Sequence, residues 1–144
     1  MTEQEIHVIC KKYNIQNYSI NLDGSIDVDG NVVISDIVLG NVKSPNIIEK
    51  MPLKFNMVSG DFYCNWNKLT TLENSPGYVG GNFYCIGNEL KNLIGIGIVN
   101  GENILCDGNP LESFEGYNGD LSKLYFLNKN KLIRKTKLKL IDQL

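Results

Sequence analysis

The sequence predicts a mainly β chain: a short solenoid of 21-residue coils with parallel strands, carrying a helical cap at the N-terminus and a basic cap at the C-terminus. Three observations carry this. First, one text is written three times at a spacing of twenty-one, as VSGDFYCNWNKLTTL from Val58, VGGNFYCIGNELKNL from Val79 and NGENILCDGNPLESF from Asn100, and a fixed period near twenty marks a stacked repeat. Second, Phe62, Phe83 and Ile104 stand two residues before Cys64, Cys85 and Cys106, which is the alternation of one buried strand face. Third, an asparagine comes three residues after each cysteine, at Asn67, Asn88 and Asn109; a bend there leaves backbone groups that a side-chain amide can satisfy. Leu69, Leu90 and Leu111 then return to the interior, and Leu72, Leu93 and Phe114 close each coil.

The resulting pattern, φxφxxNxφxxφ, resembles the leucine-rich repeat, with Phe and Cys standing where Leu is usual. The resemblance implies one short parallel strand per coil, about 4.8 Å from the next, and a return path with little helix. A fading fourth copy runs through Tyr125, Leu127, Asn130 and Leu132 and is read as the closing coil. The single domain 1–144 thus divides into a helical cap (1–17), a divergent first coil with an insertion (18–57), three repeats (58–120) and a closing coil or cap (121–144).

Along the chain, Thr2-Glu3-Gln4-Glu5 has the form of a capping box, so a helix is expected from about Glu3 to Tyr13. Its apolar stripe of Ile6, Ile9, Cys10 and Tyr13 suits a lid over the first coil, and His7 points off that stripe into solvent. From Tyr18 the period becomes two, broken by Asp23-Gly24 and Asp29-Gly30, which reads as consecutive short strands joined by tight turns. Val28, Gly30, Val32, Ile34 and Leu39 match the slots of Val58, Gly60, Phe62, Cys64 and Leu69. Ile37 stands in place of the asparagine, and a surplus of nine residues lies in or near Gly40 to Lys50. Leu53 and Phe55 point inward. From Leu132 to Leu144 both helix and strand remain open, since Leu138 and Leu140 alternate while Ile133, Leu140, Ile141 and Leu144 fit a helix.

At 144 residues with 42% apolar content, the chain can bury a core of its own. It holds no run of eighteen apolar residues and begins with a charged, amphipathic stretch, so neither a membrane span nor a signal peptide is read and a cytoplasmic location is expected. Residues 1–120 hold 7 Lys/Arg against 15 Asp/Glu, and 121–144 hold 7 against 1; the body is therefore at −8 and the tail at +6. Lysines on a terminal coil discourage edge-to-edge stacking, and such a tail also suits phosphate or an acidic partner. Three of the four cysteines share one repeat slot and point in parallel, a poor geometry for bridging. They are expected reduced and buried, with no metal held.

The helix, IDVDGNV at Ile26, PLKF at Pro52, VSGDFYC at Val58 and VGGNFYC at Val79 together resemble small leucine-rich-repeat-like proteins encoded by tailed bacteriophages. This resemblance covers nearly the whole chain and implies a phage accessory protein acting in the host cytoplasm.

Between the inward Phe and Cys of each strand one residue must point out. These are Val33, Tyr63, Tyr84, Leu105 and, by extension, Phe126; with Asn65, Trp66, Ile86 and Asp107 at the strand exits they form the expected partner surface. Strand faces exposed to water are ordinarily polar, so such a row suits contact with another protein, although aromatic residues also pair along a ladder for stability alone. The alternative is a nucleic-acid site on Lys123, Lys129, Lys131, Arg134, Lys135, Lys137 and Lys139; a structural role in a virion is a third reading. Ser25 to Asp36 faintly matches a calcium loop, with Ser first and Asp twelfth, but the alternation of Ile26 and Val28 already explains it as strand. The glycine pairs lead into no phosphate-cradling helix, the one histidine lies on a terminal helix, and cysteines in core slots are inert. The sequence therefore points to a non-enzymatic protein-binding module without a cofactor or catalytic residue, and the phage resemblance implies as its partner a bacterial host protein, a defence component that it inhibits.

Overall fold

The structure, a computed structural model, describes residues 1–34 and 47–143. The chain is mainly sheet with two α-helices among the described residues. Helix α1 (Glu3–Lys12) opens with the capping box: Thr2 Oγ1 accepts from Glu5 N–H, and the Glu5 carboxylate accepts from Thr2 N–H. The Thr2 backbone N–H, and then its hydroxyl, hold the Glu5 carboxyl below its usual pKa. Ile6 and Cys10 are buried and join the core, while Ile9 and Tyr13 pack at its edge. His7 is exposed and its Nδ1 pairs with the Tyr18 hydroxyl.

Strands β1 (Tyr18–Ile20) and β2 (Ile26–Val28) form an antiparallel hairpin. Its Asp23-Gly24 turn is tied by Asp23 accepting from Ser25 N–H and Oγ, and the Lys54 ammonium bonds the same carboxylate at 2.7 Å. The Lys54 bond and then those of Ser25 depress the Asp23 pKa. The Asp29-Gly30 pair joins two consecutive short strands, as the sequence predicts, but these belong to different sheets and make no hairpin. The pair is a corner that carries the chain from one sheet to the other, into β3 (Val32–Val33).

The pattern then repeats. Strands β4 (Phe55–Val58), β6 (Tyr78–Val79) and β8 (Ile98–Val99) extend the first sheet in the order β1-β2-β4-β6-β8. Strands β5 (Phe62–Tyr63), β7 (Phe83–Tyr84), β9 (Ile104–Leu105) and β10 (Leu124–Tyr125) extend the second in the order β3-β5-β7-β9-β10. Every pair except β1/β2 is parallel. Each repeat thus gives one strand to each sheet, and the register sets Phe62 beside Phe83 and Phe83 beside Ile104. Val58, Val79, Phe62, Phe83, Ile104 and the cysteines Cys64, Cys85 and Cys106 form one buried core between the sheets with Leu69, Leu72, Leu90 and Leu93.

The asparagine slot joins one repeat to the next. Asn88 Nδ2 donates to Cys85 O of its own repeat and to Cys64 O of the preceding one, both at 3.0 Å, while its Oδ1 accepts from Leu69 N–H at 3.1 Å. Asn67 and Asn109 repeat the arrangement, Asn67 reaching Ile34 O and Asn109 reaching Cys85 O. The corners are equally close: a Cβ on Gly81 would stand 2.9 Å from the Gly60 carbonyl carbon and 2.1 Å from Asp61 Oδ1, so only glycine lets the layers approach.

Three expected alignments shift. In the third repeat Val99, not Asn100, lies opposite Val79, because one residue is missing after Leu93 and one is added before Ile104. Ile48, not Leu39, takes the slot of Leu69, since its N–H meets Asn67 Oδ1 and its carbonyl accepts from Lys68 N–H, as Leu69 does with Asn88 and Glu89. Ile37, Leu39, Asp36 and most of the expected insertion lie outside the described residues. In the closing copy Leu124 and Tyr125 pair with Ile104 and Leu105, so that copy starts one residue earlier than its letters suggest. Lys129–Asp142 form helix α2, which decides the open choice over residues 132–142.

Replacing Asn88 by alanine strands the buried Leu69 N–H and removes one of the two amide donors, the others being Asn67 and Asn109, from each of the Cys64 and Cys85 carbonyls, and is expected to cost ~1–3 kcal/mol in urea unfolding. The same change at the more exposed Asn109 should cost clearly less; equal losses would refute the role given to burial. Burial raises the Cys64 and Cys85 thiols and lifts Cys106 to about 12. Native protein at mildly alkaline pH should therefore take up no iodoacetamide at these three positions, as read by peptide mass, and all should react in denaturant. The folded thiols stay protonated where unfolded ones ionise, so stability is full below the ordinary thiol pKa and falls as pH rises toward about 12.

Candidate partner surface

The outward row of the second sheet is set by its register: Val33 beside Tyr63, Tyr63 beside Tyr84, Tyr84 beside Leu105 and Leu105 beside Tyr125. The Tyr63 and Tyr84 rings stack with centroids 4.5 Å apart at 9°. Val33 and Tyr125 lie open at the two ends, 47% and 48% exposed, and Tyr63, Tyr84 and Leu105 are half-buried between them. Phe126 does not belong to this row, contrary to expectation. It takes the slot that follows Tyr125, turns toward the core and packs edge-on against Phe114. The shortened spacing before β10 is the cause.

The polar residues beside the row are engaged in holding the repeats together. Asn31 Oδ1 accepts from Asp61 N–H, Asp61 Oδ1 from Asn82 N–H, and Asn82 Oδ1 from Asn103 N–H. At the strand exits Asn65 Oδ1 accepts from Ile86 N–H at 2.8 Å and Asp107 Oδ1 from Leu127 N–H at 2.7 Å. The Tyr63 hydroxyl donates to Asp61 Oδ2, and the Tyr84 hydroxyl accepts from Asn82 Nδ2. Burial, and then the neighbouring Asp61 carboxylate, push the Tyr63 pKa up to about 12. Asn65 and Asp107 therefore act in the ladder before they act on any partner.

Trp66 differs. Its φ of 59° is left-handed, as are the 70° values at Gly87 and Gly108 in the same slot, so a conformation that suits glycine is held by a tryptophan. The indole lies across Gly87, where a Cβ would stand 2.2 Å from Trp66 Cε3, and the residue is 58% exposed. Ile86, half-buried, follows beside it.

A second apolar row lies on the first sheet, where Met57, Tyr78 and Ile98 stand side by side and exposed, Ile98 at 69%. The sequence reading missed it. The signal was present in the residue before each inward valine, but aligning the third copy on Asn100 hid Ile98.

The expected basic set is divided. Lys123 Nζ donates to Val99 O on the outer edge of β8, and Lys129 Nζ donates to Leu121 O and Leu124 O. These two ammoniums close the end of the stack. Lys131, Arg134, Lys135, Lys137 and Lys139 all stand exposed on α2. On the calcium-like stretch, Asp27 accepts from Asn56 Nδ2 and Asp29 from Ser59 Oγ.

No protein-family model matches the chain, and comparison with curated proteins and with solved structures gives no match. Among the described residues no helix is long and apolar enough to cross a membrane.

Trp66→Gly removes the left-handed strain and should leave the melting temperature unchanged or raise it, whereas Gly87→Ala, strained and in collision with the indole, should lower stability by ~1–3 kcal/mol. Differential scanning calorimetry of the two variants checks this. A large loss in Trp66→Gly would mean that the indole serves the fold.

Proposed function

We propose that this chain is a leucine-rich-repeat-like solenoid with no chemistry of its own, a binding module that docks a folded protein on the outward face of its second sheet. The observation that carries the reading is the continuous row Val33, Tyr63, Tyr84, Leu105 and Tyr125, apolar where a solvated strand face would be polar, with Trp66 held exposed in a strained conformation beside it. A strained, exposed aromatic residue adds little to folding and much to an interface, where Trp and Tyr supply most of the contact energy. Because the polar neighbours of the row are already hydrogen-bonded within the stack, a partner would gain mainly from apolar contact with a rigid platform, which lowers the entropy lost on binding. The cysteines, buried and protonated, offer no nucleophile.

The resemblance to phage accessory proteins supports a bacterial host protein as the partner class, with a defence component as the target that binding would inhibit. The paired change Tyr63→Ala with Tyr84→Ala, combined with Trp66→Ala, should abolish capture of that partner from host lysate while the circular dichroism spectrum stays as in the parent. Undiminished capture by the folded variant would refute the surface.

A further inference from the structure

We propose that α2 is a peripheral membrane anchor: a basic helix that lies on an anionic phospholipid bilayer and seats Leu138 and Ile141 among its headgroups. The helix has little within the chain to hold it. Leu132 is buried and Ile133 half-buried, but every residue from Arg134 to Gln143 is exposed. Its N-cap, Asn128, makes no side-chain cap bond, and its first turn carries Lys129 and Lys131 where the helix dipole favours anions. A helix of this length without tertiary support is marginal in water. Its distal turns call for a surface to lie against.

The chemistry of that surface is read from the helix wheel. At about 100° per residue, Ile141, Arg134 and Leu138 occupy the side turned away from the buried Leu132. Lys137 flanks them on one side, and Lys131 and Lys135, with Asp142 between them, on the other. Leu138 and Ile141 are 62% and 61% exposed. An apolar pair framed by cations fits an anionic interface, where the side chains enter the acyl boundary and the ammoniums stay at the phosphates. A nucleic acid would use the cations and leave the leucine and isoleucine facing phosphate. The bilayer uses both.

The acidic body does not forbid this. Screening acts over about 10 Å at 0.1 M salt and a fourteen-residue helix is roughly 21 Å long; Lys131 and Lys135 line a cleft with Glu112 of the body, while Lys137 and Lys139 stand exposed further along the helix. The helix is also too short to span a bilayer, so it would lie on the surface.

The test is flotation of the full chain with vesicles of phosphatidylcholine alone and of phosphatidylcholine mixed with phosphatidylglycerol. Binding to the mixed vesicles is expected, about tenfold or more above neutral ones, falling with salt and accompanied by a gain in helical circular dichroism. Leu138→Ser with Ile141→Ser keeps the charge and should weaken flotation about tenfold, and Lys135→Gln with Lys137→Gln should weaken it and flatten the salt dependence. Both pairs alter exposed positions, so the melting temperature serves as the check on folding. Absence of flotation overturns the proposal, as does equal binding to neutral vesicles. Full binding by the serine variant also overturns it, as does retention of a duplex oligonucleotide by that variant without flotation, which would assign the cations to nucleic acid.

Discussion

The stack depends on one interaction, the side-chain amide that bonds two repeats at once. Asn88 has two N–H groups and one acceptor, and each meets a backbone partner: the carbonyls of Cys64 and Cys85 and the N–H of Leu69. A buried bend would otherwise leave those groups unsatisfied, at a cost that apolar packing alone could not offset. Aspartate lacks the donors, and glutamine adds a methylene that the close-packed layer has no room for. The choice of asparagine is thus dictated by the number of groups to be satisfied and the distance between layers. The same solution appears at the corners, where Asn31, Asp61 and Asn82 each accept from the next layer, and at the strand exits through Asn65 and Asp107.

This economy bears on which residues are free to do anything else. A polar side chain beside the outward row reads, in the sequence, as a rim for a partner, yet most of these side chains are bonded into the stack. What the stack leaves uncommitted is apolar: the tyrosine faces, Val33, Leu105, Trp66 and, on the other sheet, Met57, Tyr78 and Ile98. The stacking of Tyr63 on Tyr84 is itself a consequence of parallel register, since equivalent residues 21 apart must lie side by side. It therefore says less about function than Trp66, whose left-handed φ the fold does not require of a tryptophan.

Much of this was legible in the sequence, and the misses share one cause. The columns of Phe, Cys, Asn and Leu placed the core and its inter-layer amides correctly because each slot has a strict physical demand. Where a corner gains or loses one residue, letters move while slots do not: Val99 for Asn100 and Tyr125 for Phe126. At the second of these the neighbour is also aromatic, so the repeat pattern alone does not choose, and Ile48 lies nine residues past Leu39, a surplus whose place the letters do not fix. The state of α2 was undecidable for a different reason. Leu138 and Leu140 alternate like a strand, while Ile133, Leu140, Ile141 and Leu144 fit a helix.

The division of charge between body and tail has two separate sources. The edge of a sheet presents unpaired N–H and carbonyl groups, and here the first sheet stops at β8 while the second runs one strand further to β10. Lys123 reaches Val99 O on the shorter sheet, and Lys129 reaches Leu124 O on the longer one, so each exposed edge receives an ammonium that blocks a further strand. Edge protection accounts for those two cations and no others. The remaining five lie on a helix that touches the body through its first turns alone, so their clustering needs a cause outside the sheets, whereas that of Lys123 and Lys129 does not.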